Sequence, residues 1–282
     1  KVYSLPQLAR DARGRAVVNL LNLAEGEHIT DCRAVRDFDQ PDHFLVMATE
    51  RGLVKKTPLA AYSRPLKSGI IAIKLREGDS LVDVVVAGPG DEIVLATARG
   101  MAIRFKQTDA RPMGRNSSGV KGIRLVGDDK VVGMVVADPD ATLLTVCANG
   151  YGKRTPFGPN LETEPDEPMP DDAATAGADA PQEEEEDHAS GASYRTQRRG
   201  GKGLRDIKAT KRNGPVVGIA HVSDEDELMM ISAHGQIQRI SAGDVSIIGR
   251  NTQGVRIMSL DEGDSLVAVK RVPKEENGGV EA

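Results

Sequence analysis

Tryptophan is absent from this 282-residue chain, aromatic side chains make up 3% of it, and it has only two cysteines. Cys32 and Cys147 each lie in an apolar run, which reads as two reduced, buried thiols of a cytoplasmic protein. Without a Cys-x-x-Cys pair or a Cys/His cluster, the pattern excludes a zinc site. No stretch approaches the roughly 18 apolar residues of a membrane-crossing helix. The opening segment Lys1–Arg13 has no apolar core of a signal peptide. No segment carries a long 3.6-residue apolar period either, which argues against helices. The chain is instead rich in glycine, with 30 residues, and in charge, at 28%.

The net charge of -5 conceals two parts. Residues 159–194 hold 12 acidic side chains and no Lys or Arg, leaving 30 acidic against 37 basic residues elsewhere. A basic body with one acidic block suggests a polyanion-binding surface with a built-in competitor. The block is rich in Pro, Ala and acid, so it is expected to be disordered, as is the tail 273–282.

The chain repeats itself. A strand ending in a turn glycine recurs as FLVMATERG, EIVLATARG, TLLTVCANG and ELMMISAHG, closing on Gly52, Gly100, Gly150 and Gly235. A second anchor follows at Gly69, Gly119, Gly203 and Gly254, and a third at Gly78, Gly127, Gly214 and Gly263. The first three turn glycines are 48 and 50 residues apart, and the step of 85 to Gly235 contains the acidic block. The N-terminus matches the later part of a copy, so the chain is expected to start inside a repeat. Each copy reads as four short strands, at 44–50, 52–59, 69–75 and 80–87 in the first complete one. Four strands per 48–50 residues is the signature of blades around an axis. The expected layout is one all-β domain over 1–272, with a partial blade at 1–36 and blades at 43–87, 91–137, 141–222 and 226–272.

Cations follow the repeat. Four residues beyond the first anchor stand Lys56, Arg104, Arg154 and Arg239, preceded in two copies by Lys55 and Lys153. Five beyond the second anchor stand Lys74, Arg124 and Lys208, then Ser259. Equal registers lie at equal heights on successive blades, so these residues are expected to form a belt suited to a curved phosphate backbone. The loops before the third strand add Arg64 and Arg115, and the densest reads SYRTQRRGGKGLR at 193–205. There Arg198 and Arg199 offer fork-shaped donors, Lys202 a point charge, and Gly200, Gly201 and Gly203 close backbone approach to an anion. The spacing GxxxxGK[ST] is absent, which excludes a Walker-type nucleotide loop.

Gln197-Arg198-Arg199-Gly200-Gly201-Lys202-Gly203 resembles the seven-residue box of the C-terminal domain of DNA gyrase A. KVYSLPQLARDARGRAVVNLL, MATERGLVKKT, GVKGIRL, NGYGKRT and SIIGRNTQGV are similar to that family too, so the likeness covers all but 159–194. It implies a β-pinwheel, a propeller-like disc whose blades exchange strands, with double-stranded DNA wrapped around its basic rim. It further implies a non-catalytic part of a cytoplasmic type IIA topoisomerase that introduces negative supercoils. The partners implied are the remainder of gyrase A, together with gyrase B, in a heterotetramer, with ATP and Mg2+ used elsewhere in that enzyme. This fragment needs no cofactor, metal or membrane on this reading. The family's box belongs to the first blade, whereas here it lies in the fourth copy counted from the partial one. Either the usual box lies upstream or this one replaces it.

The rival readings are the homologous C-terminal domain of topoisomerase IV, in which the box is degenerate, and a propeller scaffold for proteins. Tyr194 beside Arg195 invites a strand-cleaving role, yet no metal-binding carboxylates accompany it in a folded segment. No catalytic residue is assigned.

Overall fold

The computed structural model describes residues 1–3, 21, 26–27, 29–30, 32–66, 69–160 and 191–272. Most of the partial copy, the body of the acidic block at 161–190 and the tail at 273–282 lie outside the described residues.

Fifteen strands make four sheets, with no α-helix among the described residues. The first copy supplies β1 (Phe44–Thr49), β2 (Leu53–Pro58) and β3 (Leu81–Ala87). The second supplies β4 (Glu92–Thr97), β5 (Met101–Lys106), β6 (Val120–Lys121) and β7 (Val131–Val136). The third supplies β8 (Thr142–Cys147), β9 (Tyr151–Pro156), β10 (Leu204–Arg205) and β11 (Val216–Val222). The fourth supplies β12 (Glu227–Ser232), β13 (Ile237–Ser241), β14 (Val255–Arg256) and β15 (Leu266–Val272).

A sheet is not a sequence copy. The orders are β3-β1-β2-β6, β10-β5-β4-β7, β11-β8-β9-β14 and β13-β12-β15. The third strand of each copy therefore closes the sheet of the copy before it, which is the exchange of a β-pinwheel. The register repeats too. Val120 pairs with Val54, Leu204 with Ala102 and Val255 with Gly152, always one past the second anchor against two past the first. Ile70 bridges to Val2 in the same way, so of the strand expected at 69–75 only this bridge forms, and it forms with the partial copy. Pairing this tight requires glycine. A Cβ on Gly203, at φ +81°, would lie 2.5 Å from the Ala102 carbonyl oxygen.

The core lies between sheets. In β4 every residue is buried, because successive side chains point to opposite neighbours. Ile93 and Leu95 pack with Val46, Val54 and Val85 of the first sheet, while Val94 packs with Leu143 and Phe157 of the third. Leu144 and Val146 pack against Leu228 and Met230 of the fourth. β12 alternates buried and half-buried residues, as a strand with one covered face does. The long strands β3, β7, β11 and β15 touch one another in series, so the two-residue exchanged strands β6, β10 and β14 form the opposite, outer edge.

The cysteines differ. Cys147 is buried, its thiol pushed up to about 12 by burial and by Asp206, whereas Cys32 is exposed. Burial was expected of both, and for Cys32 the structure corrects it.

Candidate nucleic-acid interface

The outer edge is one hydrogen-bonded chain of exchanged segments. The N–H of Lys74 donates to Ser117 O at 3.0 Å, that of Arg124 to Gly201 O at 2.8 Å, and that of Lys208 to Thr252 O at 2.7 Å. Each residue five past a second anchor is thus tied to the carbonyl two before the next one. Lys74, Arg124 and Lys208 are all exposed there, spaced by the repeat. Arg64 and Arg115 are exposed on the loops beside them.

The box occupies this edge. Gln197 is half-buried, its N–H bonded to Arg104 O at 2.7 Å. Arg198 and Lys202 are exposed. Arg199 folds inward, its Nε donating to Asp109 O at 2.9 Å and its Nη1 to Lys121 O at 2.6 Å. The Gly200 N–H donates to Gly122 O at 2.8 Å, and Gly201 O accepts from Arg124. The expected roles of Arg199 and of the Gly200 amide in holding an anion are thereby corrected, since both serve the contact between two repeats. Arg198 and Lys202 keep their charged ends toward solvent.

The register four past the first anchor needs a larger correction. Lys56, Arg104 and Arg154 are buried, as are Lys55 and Lys153, so these five do not stand on an open belt. Both faces of β5 and β9 are covered by neighbouring sheets, β2 lies between the second sheet and the linker that carries Leu59, Tyr62, Ile70 and Ala72, and carbonyls from linkers and loops converge on the cations. Lys55 Nζ donates to Ala72 O and Arg115 O. Lys153 Nζ donates to Asp206 O at 2.8 Å and Gly249 O at 3.0 Å, and pairs with Asp206 Oδ1 at 2.9 Å. Each clamps its own exchanged segment to the loop of the following repeat. Lys56 Nζ meets Gln107 O at 2.9 Å and Gln107 Oε1 at 2.7 Å. Arg154 holds Val245 O at 2.8 Å and the Asp224 carboxylate. Burial lowers Lys55 and Lys56 to about 8, assisted at Lys55 by Arg115 and opposed at Lys56 by Asp109. Lys153 is lowered by burial against the pull of Asp206. Arg239 alone of this register is exposed, paired with Glu227.

Arg104 has the densest set of partners. Its Nε meets Glu92 Oε2 at 2.5 Å, and Nη1 meets Phe157 O at 2.5 Å and Tyr194 O at 3.0 Å. Its Nη2 meets Pro159 O at 3.1 Å and Asn160 Oδ1 at 2.5 Å. One guanidinium therefore fastens both flanks of the acidic block beside the box. These flanks belong to the packed body, which narrows the insert expected at 159–194. Tyr194 is buried, with its hydroxyl donated to Asp206 Oδ1 at 2.6 Å, and burial and that carboxylate raise its pKa well above the usual phenol value.

Counting registers from two anchors missed a third set. Two past the second anchor stand Lys121, Arg205 and Arg256, all exposed on the exchanged strands. Arg51 and Arg99 directly precede the first-anchor glycine and are exposed as well. The same counting at those offsets would have found them.

Comparison with known proteins places these features. The family model described as the DNA gyrase C-terminal domain, a β-propeller, matches residues 1–36, 43–87, 91–138, 190–223 and 226–273. The DNA gyrase A protein of Klebsiella oxytoca is 40% identical over 272 residues, covering 96% of this chain and 27% of that protein. The Escherichia coli gyrase A protein has the same identity and coverage. The chain thus spans about a quarter of these relatives' length. A solved DNA gyrase A C-terminal domain superposes with a TM-score of 0.71 at 26% identity, covering 93% of this chain and 75% of that one. A topoisomerase IV C-terminal domain shares the fold, with a TM-score of 0.75 at 20% identity over 95% and 73% of the two chains.

Proposed function

Since the chain belongs to the DNA gyrase C-terminal domain family, we propose that it binds double-stranded DNA along its outer edge and bends the duplex around it. The observation that carries this reading is the exposed series Lys74, Arg124 and Lys208 on one hydrogen-bonded rim, with Arg198 and Lys202 of the box beside it. A cation series set by the fold's own repeat contacts phosphates at regular intervals and reads no base, so binding is governed by counterion release. The intact box supports the gyrase reading over topoisomerase IV. In the parent enzyme the domain acts on DNA without catalysing cleavage. It works in the cytoplasm with the rest of gyrase A and with gyrase B, where ATP and Mg2+ are used.

The test is topoisomer analysis. The chain is bound to relaxed plasmid, a topoisomerase I closes the linking number, and the distribution is read on a gel. Wrapping shifts the distribution with chain concentration. Arg198→Ala/Lys202→Ala reduces that shift more than it reduces binding, because the other rim cations still attract phosphate. Binding with no shift at any concentration would refute wrapping.

A further inference from the structure

Resting on that reading, we propose that the phosphates seat in composite clefts, each built from the hairpin of one repeat and the exchanged strand of the next. The grip is graded, strong on the first two sheets and weak on the third.

The clefts follow from how the hairpins are joined to the outer strands. The carbonyl of each first-anchor glycine accepts two N–H groups from the exchanged segment. Gly52 O takes those of Gly122 and Ile123 at 2.7 and 3.2 Å, Gly100 O those of Asp206 and Ile207 at 2.9 and 3.2 Å, and Gly150 O those of Ile257 and Met258 at 2.9 and 3.1 Å. The contact is so close that a Cβ on Gly100 would lie 2.1 Å from Ile207 O. The residue before the glycine is thereby fixed beside the second and fifth positions of the exchanged segment.

On the second sheet this encloses a cleft of about 520 Å³ lined by Arg99, Arg205, Lys208 and Thr210, with Ile207 and Ala209 as its floor. Three cations converge there from two repeats, beside the Thr210 hydroxyl, which donates to Asn213 Oδ1 at 2.9 Å. Arg99 also meets Asp128, but both side chains are largely exposed, at 58% and 83%, and such a pair yields readily to a phosphate. The equivalent positions on the first sheet are Arg51, Lys121 and Arg124, again three cations. On the third sheet they are Asn149, Arg256 and Ser259. The depression there measures about 200 Å³ and has Asp261 and Asp264 in its wall. Its one cation is engaged. Arg256 Nη2 donates to Tyr151 Oη at 3.3 Å, an oxygen that also accepts from Arg212 Nε at 3.2 Å, and these bonds lower the phenol pKa. Two carboxylates beside one engaged guanidinium disfavour a phosphate that three cations would hold.

The experiment measures duplex binding by the intact chain as a function of salt. Arg99→Ala/Arg205→Ala/Lys208→Ala should make the log–log salt slope shallower by about 2 to 3 units, at about 0.9 per lost contact. Asn149→Ala/Ser259→Ala should leave the slope unchanged, and Ser259→Lys/Asp261→Asn should steepen it by about one unit. All these side chains are at the surface, and thermal unfolding confirms that each variant folds. The proposal falls if the triple variant keeps the parent slope while Arg198→Ala/Lys202→Ala loses about two units. That result places DNA on the edge but outside the clefts. A parent chain without salt-dependent binding overturns the DNA reading itself, and the clefts with it.

Discussion

Replacing Arg104 with alanine separates a structural cation from a DNA-facing one. The side chain is fully buried, and its removal takes the guanidinium donor from the Glu92 carboxylate, itself 1% exposed. The carbonyls of Phe157, Pro159 and Tyr194 lose a donor at the same time. Breaking a buried ion pair from one side costs about 3–5 kcal/mol. In a folded body of this size each kcal/mol moves the melting temperature by about 2–4 °C, so the midpoint should fall by about 6–20 °C. Arg198→Ala, at an exposed site, should stay within about 0.5 kcal/mol. Replacing the pair together, as Arg104→Met/Glu92→Leu, should recover part of the loss, because no uncompensated charge remains. Thermal unfolding by circular dichroism measures all three. The reasoning is refuted if Arg104→Ala melts within about 2 °C of the parent while making the DNA salt slope shallower, for Arg104 would then face the phosphates.

Two other expectations are independent of that one. Lys55 and Lys56 titrate near 8 in the folded chain, against about 10.4 when unfolded, so between those values the unfolded chain holds protons that the folded one has released. Their penalty on stability is complete below pH 8 and lifts as pH rises toward about 10.5. Urea unfolding from pH 7.5 to 10 should therefore show the stability difference between the parent and Lys55→Met/Lys56→Met moving in the parent's favour as pH rises, and a constant difference would refute it. Deleting 161–190 removes 12 carboxylates tethered next to the box. Such a tether acts at an effective concentration on the order of mM, so the deletion should tighten DNA binding at low ionic strength, with the gain shrinking as salt screens it. Equal affinities at low salt would make the block an inert spacer.

The repeat and the strand-ended glycines were legible because close backbone contact leaves a residue-level mark. Gly100, Gly150 and Gly203 face a carbonyl where any side chain would collide. Which sheet a strand joins was carried by the family resemblance and not by the residues themselves, since Val120 pairs with Val54 by the same pattern it would use inside its own copy. The buried cations were misplaced for a related reason. Lys56 finds its acceptor 51 residues away and Arg154 finds one 91 away, so nothing local distinguishes them from solvent-facing charges. The exposed cations at Lys74, Arg124 and Lys208 were found by counting from an anchor that lies on the edge itself. Arg205 and Lys121 stand only two residues from the same anchor and were passed over because only the fifth position was counted.

Strand exchange also sets the path of mechanical load. A bent duplex recoils, and its pull would act on Lys121, Arg205 and Arg256, which ride on strands of only two residues. Each of these belongs by chain to the following repeat but by pairing to the preceding sheet. Tension applied at one outer edge therefore runs along the backbone into the next repeat's central strand, while the pairing it strains belongs to its neighbour. Consecutive repeats overlap like slates, each held down by the one laid after it. Peeling one outer strand must break the Lys55 or Lys153 clamp as well as the ladder. The second sheet's outer strand β10 runs straight into Asp206, whose carbonyl is held by Lys153 of the third repeat, so load on that edge passes beyond the sheet with which the strand pairs.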